Sequence, residues 1–325
     1  MEILAEIKAL LNDDSVTLGE QVQSLWSGYG QIVRCYSAQQ QASYIVKAIA
    51  PANATRHPRG WNTSASHQRK LKSYQVEANF YLHYAKWVSF DCKVPQLLAC
   101  KATDDFTLLV MEDLDALGYS ERKDFATWHD LSRAIKWLAY FHARFMKEVN
   151  DGPSFDLWPM GTYWHLATRQ DELAAMPDNV FKTYAGALDT LLQQVKFPTL
   201  LHGDAKFANL CFHTDGELVA AIDFQYVGLG SGVRDLAYLV GSCLKQDKLM
   251  EYDRLIVPEY LKYLQQALNT YGKTIDFSAL QAETELLYPV AWADFYRFLL
   301  GWNPKSWKIG DYMLQKAQQG LDRVL

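Results

Sequence analysis

Hydrophobic positions recur at helical spacing in the first twelve residues, where Ile3, Ile7, Leu10 and Leu11 share one face until Asn12-Asp13-Asp14 interrupts the run. Around Ser24 to Tyr36 the pattern becomes strand, turn, strand, with Gly28 and Gly30 at the turn. Residues 44–49 form a β-branched strand containing one lysine, Lys47. Residues 70–81 return to helical spacing, which aligns Tyr74, Glu77 and Tyr81. Residues 94–100 and 106–111 predict a second hairpin around Thr103-Asp104-Asp105, and the apolar run then stops at Glu112-Asp113-Leu114-Asp115.

The second half reads as mainly helical. Residues 128–149 give a helix with Leu131, Ile135, Leu138, Phe141 and Phe145 on one face, and His142 beside that face is expected to be a satisfied core histidine. Residues 150–164, rich in Gly, Pro and Trp, predict a loop, and 181–195 a further helix ending before Pro198. Leu200-Leu201 ends a buried strand. Leu210-Cys211-Phe212 and 218–222 are strands joined by a turn with an Asp215-Gly216 signal. Residues 228–232, Gly-Leu-Gly-Ser-Gly, predict a short flexible loop, and Arg234-Asp235 opens a helix with an acid in its first turn. Residues 245–325 read as helices separated near Gly272 and Pro304. Tyr288, Trp292, Phe295 and Phe298 fall three and four residues apart, which predicts a core face. The alternative is a substrate pocket, in which rings and Asp294 hold a ligand cation or rings alone hold a flat apolar alcohol.

Length changes this picture little: 325 residues suit two domains or one domain of two lobes, and a 49% hydrophobic share supplies ample core. The 32 basic and 37 acidic residues leave a net charge of −5, so the chain as a whole carries no footprint for nucleic acid or an anionic membrane. Cys35, Cys92, Cys100, Cys211 and Cys243 are scattered, without Cys-x-x-Cys pairs, which argues against a disulfide framework or structural zinc and suits a reducing cytoplasm. Neither a signal-peptide start nor an uninterrupted 18-residue apolar run is found.

The chemistry concentrates in Leu201-His202-Gly203-Asp204-Ala205-Lys206-Phe207-Ala208-Asn209 and in Asp223-Phe224-Gln225. Phosphoryl transfer from a nucleotide needs a carboxylate beside the attacking hydroxyl and oxygen ligands that hold magnesium against the phosphates. A hairpin delivering Asn209 and Asp223 close together supplies the metal ligands and leaves Asp204 free as a base. His202 reads as a brace for the loop. An ordinary hairpin with polar turns does not account for His, Gly, Asp, Asn and a second Asp together.

This wording resembles the catalytic segment of the aminoglycoside phosphotransferase and choline kinase group, within the protein-kinase-like superfamily. The Trp-Ser-Gly-Tyr-Gly, Arg-Gly-Trp-Asn and Ile-Asp-Phe-Gln wording is similar to bacterial members of its ecdysteroid-kinase-like branch. The resemblance implies an α+β bilobal fold, with a small antiparallel-sheet lobe over 1–114, a hinge near 111–115 and a mainly helical lobe over 115–325. It implies ATP and magnesium as cofactors and a small-molecule hydroxyl compound as acceptor. Asp204 becomes the catalytic base, Asn209 and Asp223 the magnesium ligands, and Lys206 a lysine against the transferred group. Gly28 and Gly30 would cap the phosphates, although Val33 stands where protein kinases carry a third glycine. Lys47 would contact them with Glu77 as its orienting partner, and Met111, Glu112 and Leu114 would meet adenine through backbone groups. Asp235 resembles an aspartate that braces the catalytic loop.

Residues 51–76 hold Arg56, Arg59, Arg69, Lys70 and Lys72 and no acid. Such a run is either a solvated loop or, through Arg59, Arg69 or Lys70, a site for nucleotide phosphates or an anionic substrate group. Two rival functions stay open. A protein kinase is favoured by Lys206, but Gly203 replaces the usual arginine and the segment after Asp223 leaves little platform for a peptide. The other, a nucleotide-binding module without catalysis, would be expected to have lost Asp204, Asn209 or Asp223, and none is missing; a third class, a structural interaction protein, leaves the motif unexplained.

Overall fold

The computed structural model describes residues 3–25, 28–50, 64–103, 106–146 and 156–325. The N-terminal part runs α1 (Ile3–Leu11), β1 (Val16–Ser24), β2 (Gly30–Ser37), β3 (Ala42–Ile49), α2 (Ser64–Asn79), β4 (Leu97–Ala102) and β5 (Thr107–Glu112). Next come α3 (Trp128–Phe145), β6 (Trp158–Met160), α4 (Gln170–Ala175), α5 (Val180–Thr183), α6 (Ala185–Gln193), β7 (Thr199–Leu201), β8 (Leu210–Phe212), β9 (Val219–Ala221) and β10 (Gly228–Gly230). The chain closes with α7 (Val233–Cys243), α8 (Gln246–Thr270), α9 (Phe277–Trp302) and α10 (Asp311–Leu321).

The first five strands form one sheet in the order β1-β2-β3-β5-β4, antiparallel throughout. Alternation along β3 sorts its side chains: Val46 and Ala48 join Ile7, Val33 and Leu108 in a core under α1, while Lys47 and Ile49 take the opposite face, toward α2. That parity buries Lys47. The fold is thus α+β, an antiparallel sheet followed by a helical C-terminal part, as the resemblance implies.

α2 continues through Phe80–Tyr84, where Phe80 stacks on Phe224 with ring centroids 4.0 Å apart. One apolar core therefore runs from α2 into the C-terminal helices. α3 begins in a capping box: the Thr127 hydroxyl accepts from Asp130 N, and the Asp130 carboxylate accepts from Thr127 N. α3 ends at Phe145 rather than 149, because Met146 turns to extended torsions (φ −65, ψ 132). The predicted helix over 181–195 is two helices, α5 and α6, parted where Tyr184 leaves helical torsions (φ −95, ψ 10).

The flexible loop expected at 228–232 is instead a strand, β10, between β6 and β7. A Cβ at Gly228 would lie 2.2 Å from Trp158 O, so glycine there permits close strand packing. The loop expected over 150–164 contains β6, and 147–155 lie outside the described residues, as do Trp26, Ser27, Arg56, His57, the Arg59-Gly60-Trp61-Asn62 stretch, Asp104 and Asp105. On α9, Tyr288, Trp292, Phe295 and Phe298 are all buried in the core. Asp294 does not serve a ligand cation: it is fully buried, accepts from Arg297 Nη2 (2.7 Å) and Trp164 Nε1 (3.1 Å), and lies near Arg234. All five cysteines are free. Among the described residues, no helix is long and apolar enough to cross a membrane.

Candidate active site

Asp204 sits on the loop between β7 and β8, and the loop hangs from one buried carboxylate. Asp235 accepts from His202 N (2.6 Å) and Gly203 N (3.0 Å), while His142 Nε2 lies 3.3 Å from it and His142 Nδ1 pairs with the Tyr260 hydroxyl. His142 is therefore a core histidine with both nitrogens occupied. Gly203 adopts φ +79, and a Cβ there would lie 1.9 Å from Tyr226 O. The His202 ring donates from Nε2 to Ile222 O (3.0 Å) and accepts at Nδ1 from Asp204 N (3.3 Å). Burial pushes its pKa down, so it braces the loop as a neutral ring.

Around Asp204 the polar contacts are local. Lys206 Nζ lies 3.0 Å from Asp204 Oδ2, and Asn209 Nδ2 donates to Asp204 O (2.9 Å) and to Oδ2 (3.2 Å). Burial opposes the Lys206 ammonium, but Asp204 and Asp223 beside it hold its pKa above the usual lysine value. The β8–β9 hairpin brings Asn209 to Asp223, with Ile222 N donating to Asn209 O at 2.9 Å. Asp223 has φ +70, a left-handed conformation that aspartate tolerates.

Lys47 Nζ makes bonds of 2.7 and 2.9 Å to the Glu77 carboxylate and reaches Asp223 Oδ1 at 3.3 Å. Burial penalises this ammonium, yet the two carboxylates keep its pKa above the usual value. Against burial, Lys47, Lys206 and Lys70 hold the Asp223 carboxyl well below the ordinary carboxylate range. Gln225 Nε2 donates to Asp223 Oδ1 at 2.5 Å, and Lys70 Nζ donates to Gln225 Oε1 at 2.7 Å. Burial lowers the Lys70 pKa to about 8.

The donor atoms suit a hard cation. Asn209 spends its amide hydrogens on Asp204, leaving Oδ1, and Asp223 Oδ2 has no partner among the described residues. No group of three His, Cys, Asp or Glu suited to a metal occurs among the described residues. Two oxygen donors match a magnesium ion that completes its shell with phosphate oxygens and water.

These groups open on one cavity of about 1020 Å³ bounded by sheet, α2 and the C-terminal loops. Lys47, Glu77, Asp204, Lys206, Asn209 and Asp223 all line it. Met111, Glu112 and Leu114 line its other end. There Glu112 N donates to Gln96 O (2.9 Å) and the Glu112 carboxylate accepts from Lys93 (2.5 Å), so neither is spare. Leu114 N has no partner among the described residues. Arg34 ties β2 to this end through Asp113 (2.7 Å) and Asp115 (2.6 Å).

Gly28 and Gly30 do not line the cavity. Gly28 is exposed at the turn, and Gly30 faces a separate groove, its φ of +151 set by a strand contact in which a Cβ would lie 1.9 Å from Ala48 O. Their geometry is explained by strand packing and turn shape. Arg69 and Lys70 do line the cavity, and Arg59 lies outside the described residues. Trp302, one of the C-terminal aromatic residues weighed as core or pocket, lines the cavity, and residues not singled out by sequence complete the walls: Tyr163, Arg169, Tyr226 and Tyr238. Lys308, over the Tyr238 ring at 4.7 Å, has a pKa lowered by burial to about 8. Ordinary residues distant in the chain carry no local signal of convergence.

The model of the phosphotransferase enzyme family matches residues 32–276, more than half of the chain. No curated protein sequence matches significantly. An ethanolamine kinase of Plasmodium vivax shares 10% identity at a TM-score of 0.50, over 97% of this chain and 85% of that one, a likeness of fold. A microcompartment-associated aminopropanol kinase gives 13% identity and a TM-score of 0.49 over 99% of this chain and 94% of that one. A Streptomyces rimosus aminoglycoside phosphotransferase, solved with ADP and streptomycin, gives 16% identity and 0.45 over 89% and 99%.

Proposed function

The chain belongs to the phosphotransferase enzyme family, and from that premise we propose that it transfers the terminal phosphoryl group of ATP, with magnesium, to a hydroxyl of a small molecule. The observation that carries the reading is the joining of two charge sets in one cavity: Asp204 with Lys206 and Asn209, and Asp223 with Lys47 and Glu77. The first set suits a proton acceptor beside an oxyanion stabiliser, the second a phosphate site.

In this reading Asp204 accepts the acceptor's hydroxyl proton as its oxygen bonds to the terminal phosphorus and the bond to the ADP oxygen breaks. Because such a transition state is loose, charge stabilisation supplies much of the rate. Lys206 sits where charge on the transferred group develops, and Lys47, fixed by Glu77, meets the phosphates. Asn209 and Asp223 would hold magnesium, which when bound neutralises phosphate charge. Adenine would take the Met111–Leu114 end, where the Leu114 N–H is a ready donor. The lobes 1–114 and 115–325 would then meet near the nucleotide, and their relative motion would gate it. Free cysteines support a cytoplasmic setting, and the shared Ile-Asp-Phe-Gln wording supports the ecdysteroid-kinase-like branch.

The test is ADP release from ATP and magnesium across a broad hydroxyl-compound library, with an Asp204→Asn control. Release that depends on one compound and falls by roughly 10²–10⁴ in the control is expected. Tight nucleotide binding with no compound-dependent release above the control would favour a binding module.

A further inference from the structure

Two largely buried guanidinium groups line the cavity beside a single bonded carboxylate. Arg69, on α2, and Arg169, in the turn before α4, converge on a single carboxylate, that of Glu172. Arg169 Nη1 lies 2.8 Å from Glu172 Oε1, and Arg69 Nη2 lies 3.6 Å from the same oxygen. Their other bonds go to neutral oxygens: Arg169 Nε to Tyr163 O (2.5 Å), Arg69 Nη1 to Thr168 O (2.6 Å) and Arg69 Nη2 to Ser66 Oγ (3.4 Å). Carbonyls orient a guanidinium without neutralising it. Among the described residues the two cations share one directly bonded carboxylate, and all three side chains are at most 11% exposed. Asp171 acts on Arg69 only as a weaker influence, and burial with the Arg169 charge keeps the Arg69 pKa below its usual value.

Guanidinium groups pair best with carboxylate or phosphate oxygens. Arg69 Nε and Arg169 Nη2 have no hydrogen-bond partner among the described residues, and both residues line the cavity that contains Asp204. Tyr163 connects the two places. Its carbonyl holds Arg169 and its N–H donates to Gly203 O at 2.9 Å, while its ring lies 6.0 Å from Tyr226 and 6.3 Å from Trp302. The charges of both Arg169 and Asp204 act on Tyr163 and Tyr226, so cations, rings and Asp204 share one stretch of the cavity. The two unbonded guanidinium donors match the oxygens of a carboxylate, whereas an amine would bring a like charge against them.

Resting on the phosphotransferase reading, we infer that the acceptor is a hydroxylated carboxylic acid with an apolar or aromatic body, its carboxylate held by Arg69 and Arg169 and its hydroxyl at Asp204. The experiment compares acceptors of shared skeleton, such as para-(hydroxymethyl)benzoate, its primary amide and the matching aminomethyl alcohol, together with ω-hydroxyalkanoates and their amides and amines. Turnover is read by ADP release in wild type, Arg69→Gln, Arg169→Gln and Asp204→Asn. Arg69→Gln guards against misfolding of the more deeply bonded Arg169→Gln. The acid members are expected to be preferred, with KM for the acid raised roughly tenfold or more in Arg69→Gln and KM for ATP unchanged. Preference for amide or amine, or an acid KM unmoved by Arg69→Gln, overturns the inference. Asp204-dependent transfer confined to other compounds also overturns it while the kinase reading stands. If no acceptor of any class gives Asp204-dependent transfer, the kinase reading itself fails.

Discussion

Gly203 shows how much a single position decides. With φ +79 and the Tyr226 carbonyl where a Cβ would be, Gly203→Ala must shift the loop that carries Asp204. The expected loss is about 3 kcal/mol or more, summing torsional strain and overpacking, measured by denaturant unfolding; an unchanged midpoint would contradict this. Lys70 makes a pH prediction. Its cation is present below its pKa of about 8 and lost above it. If it meets nucleotide phosphates, kcat/KM for ATP falls as pH rises through about 8, and Lys70→Gln lacks that inflection. The same descent in both proteins would remove Lys70 from the phosphate site. Asp204, Asn209, Asp223, Lys47 and Glu77 were legible in sequence because each bears chemistry at a local spacing or on a readable strand or helix face. Arg169, Glu172 and Tyr163 were not, since their meaning lies in contacts with Arg69 and Gly203 far along the chain. Asp294 could not be decided from sequence for the complementary reason: a buried acid paired with Arg297 carries the same letter as a ligand-binding one.

Elements were readable where periodicity is long and caps are local. α3 is the clearest, and its capping box predicts that Thr127→Ala lowers stability by about 1 kcal/mol without moving KM for either substrate, because the cap lies outside the cavity. Thermal melting beside steady-state kinetics checks both halves. The sequence misread β10 because three residues rich in glycine look like a flexible loop. Their actual constraint is the approach of β6 and β7 on either side. α5 and α6 were merged for a related reason: periodicity continues across Tyr184 although the backbone does not.

At the scale of the molecule, the site exists because two parts of the chain share a core. Phe80, ending α2, stacks on Phe224, which follows Asp223, so the helix carrying Glu77, Lys70 and Arg69 is fixed against the hairpin carrying the proposed metal ligands. Sheet parity supplies Lys47 to the same place. This convergence places Lys47, Asp204, Arg69 and Arg169, the proposed phosphate, proton and anion sites, around one cavity. The α+β fold could be anticipated from the family resemblance of the catalytic segment, whereas the part of the cavity at Arg169 could not. The central claim is that Asp204 delivers a hydroxyl to the terminal phosphate of ATP. Its most direct test is mass-spectrometric detection of the phosphorylated acceptor with wild type and Asp204→Asn at matched nucleotide occupancy. The account predicts a phosphate monoester in wild type and its near absence in the variant, with ATP still bound. Equal product from both proteins, or ADP with inorganic phosphate as the only products of wild type, would contradict it.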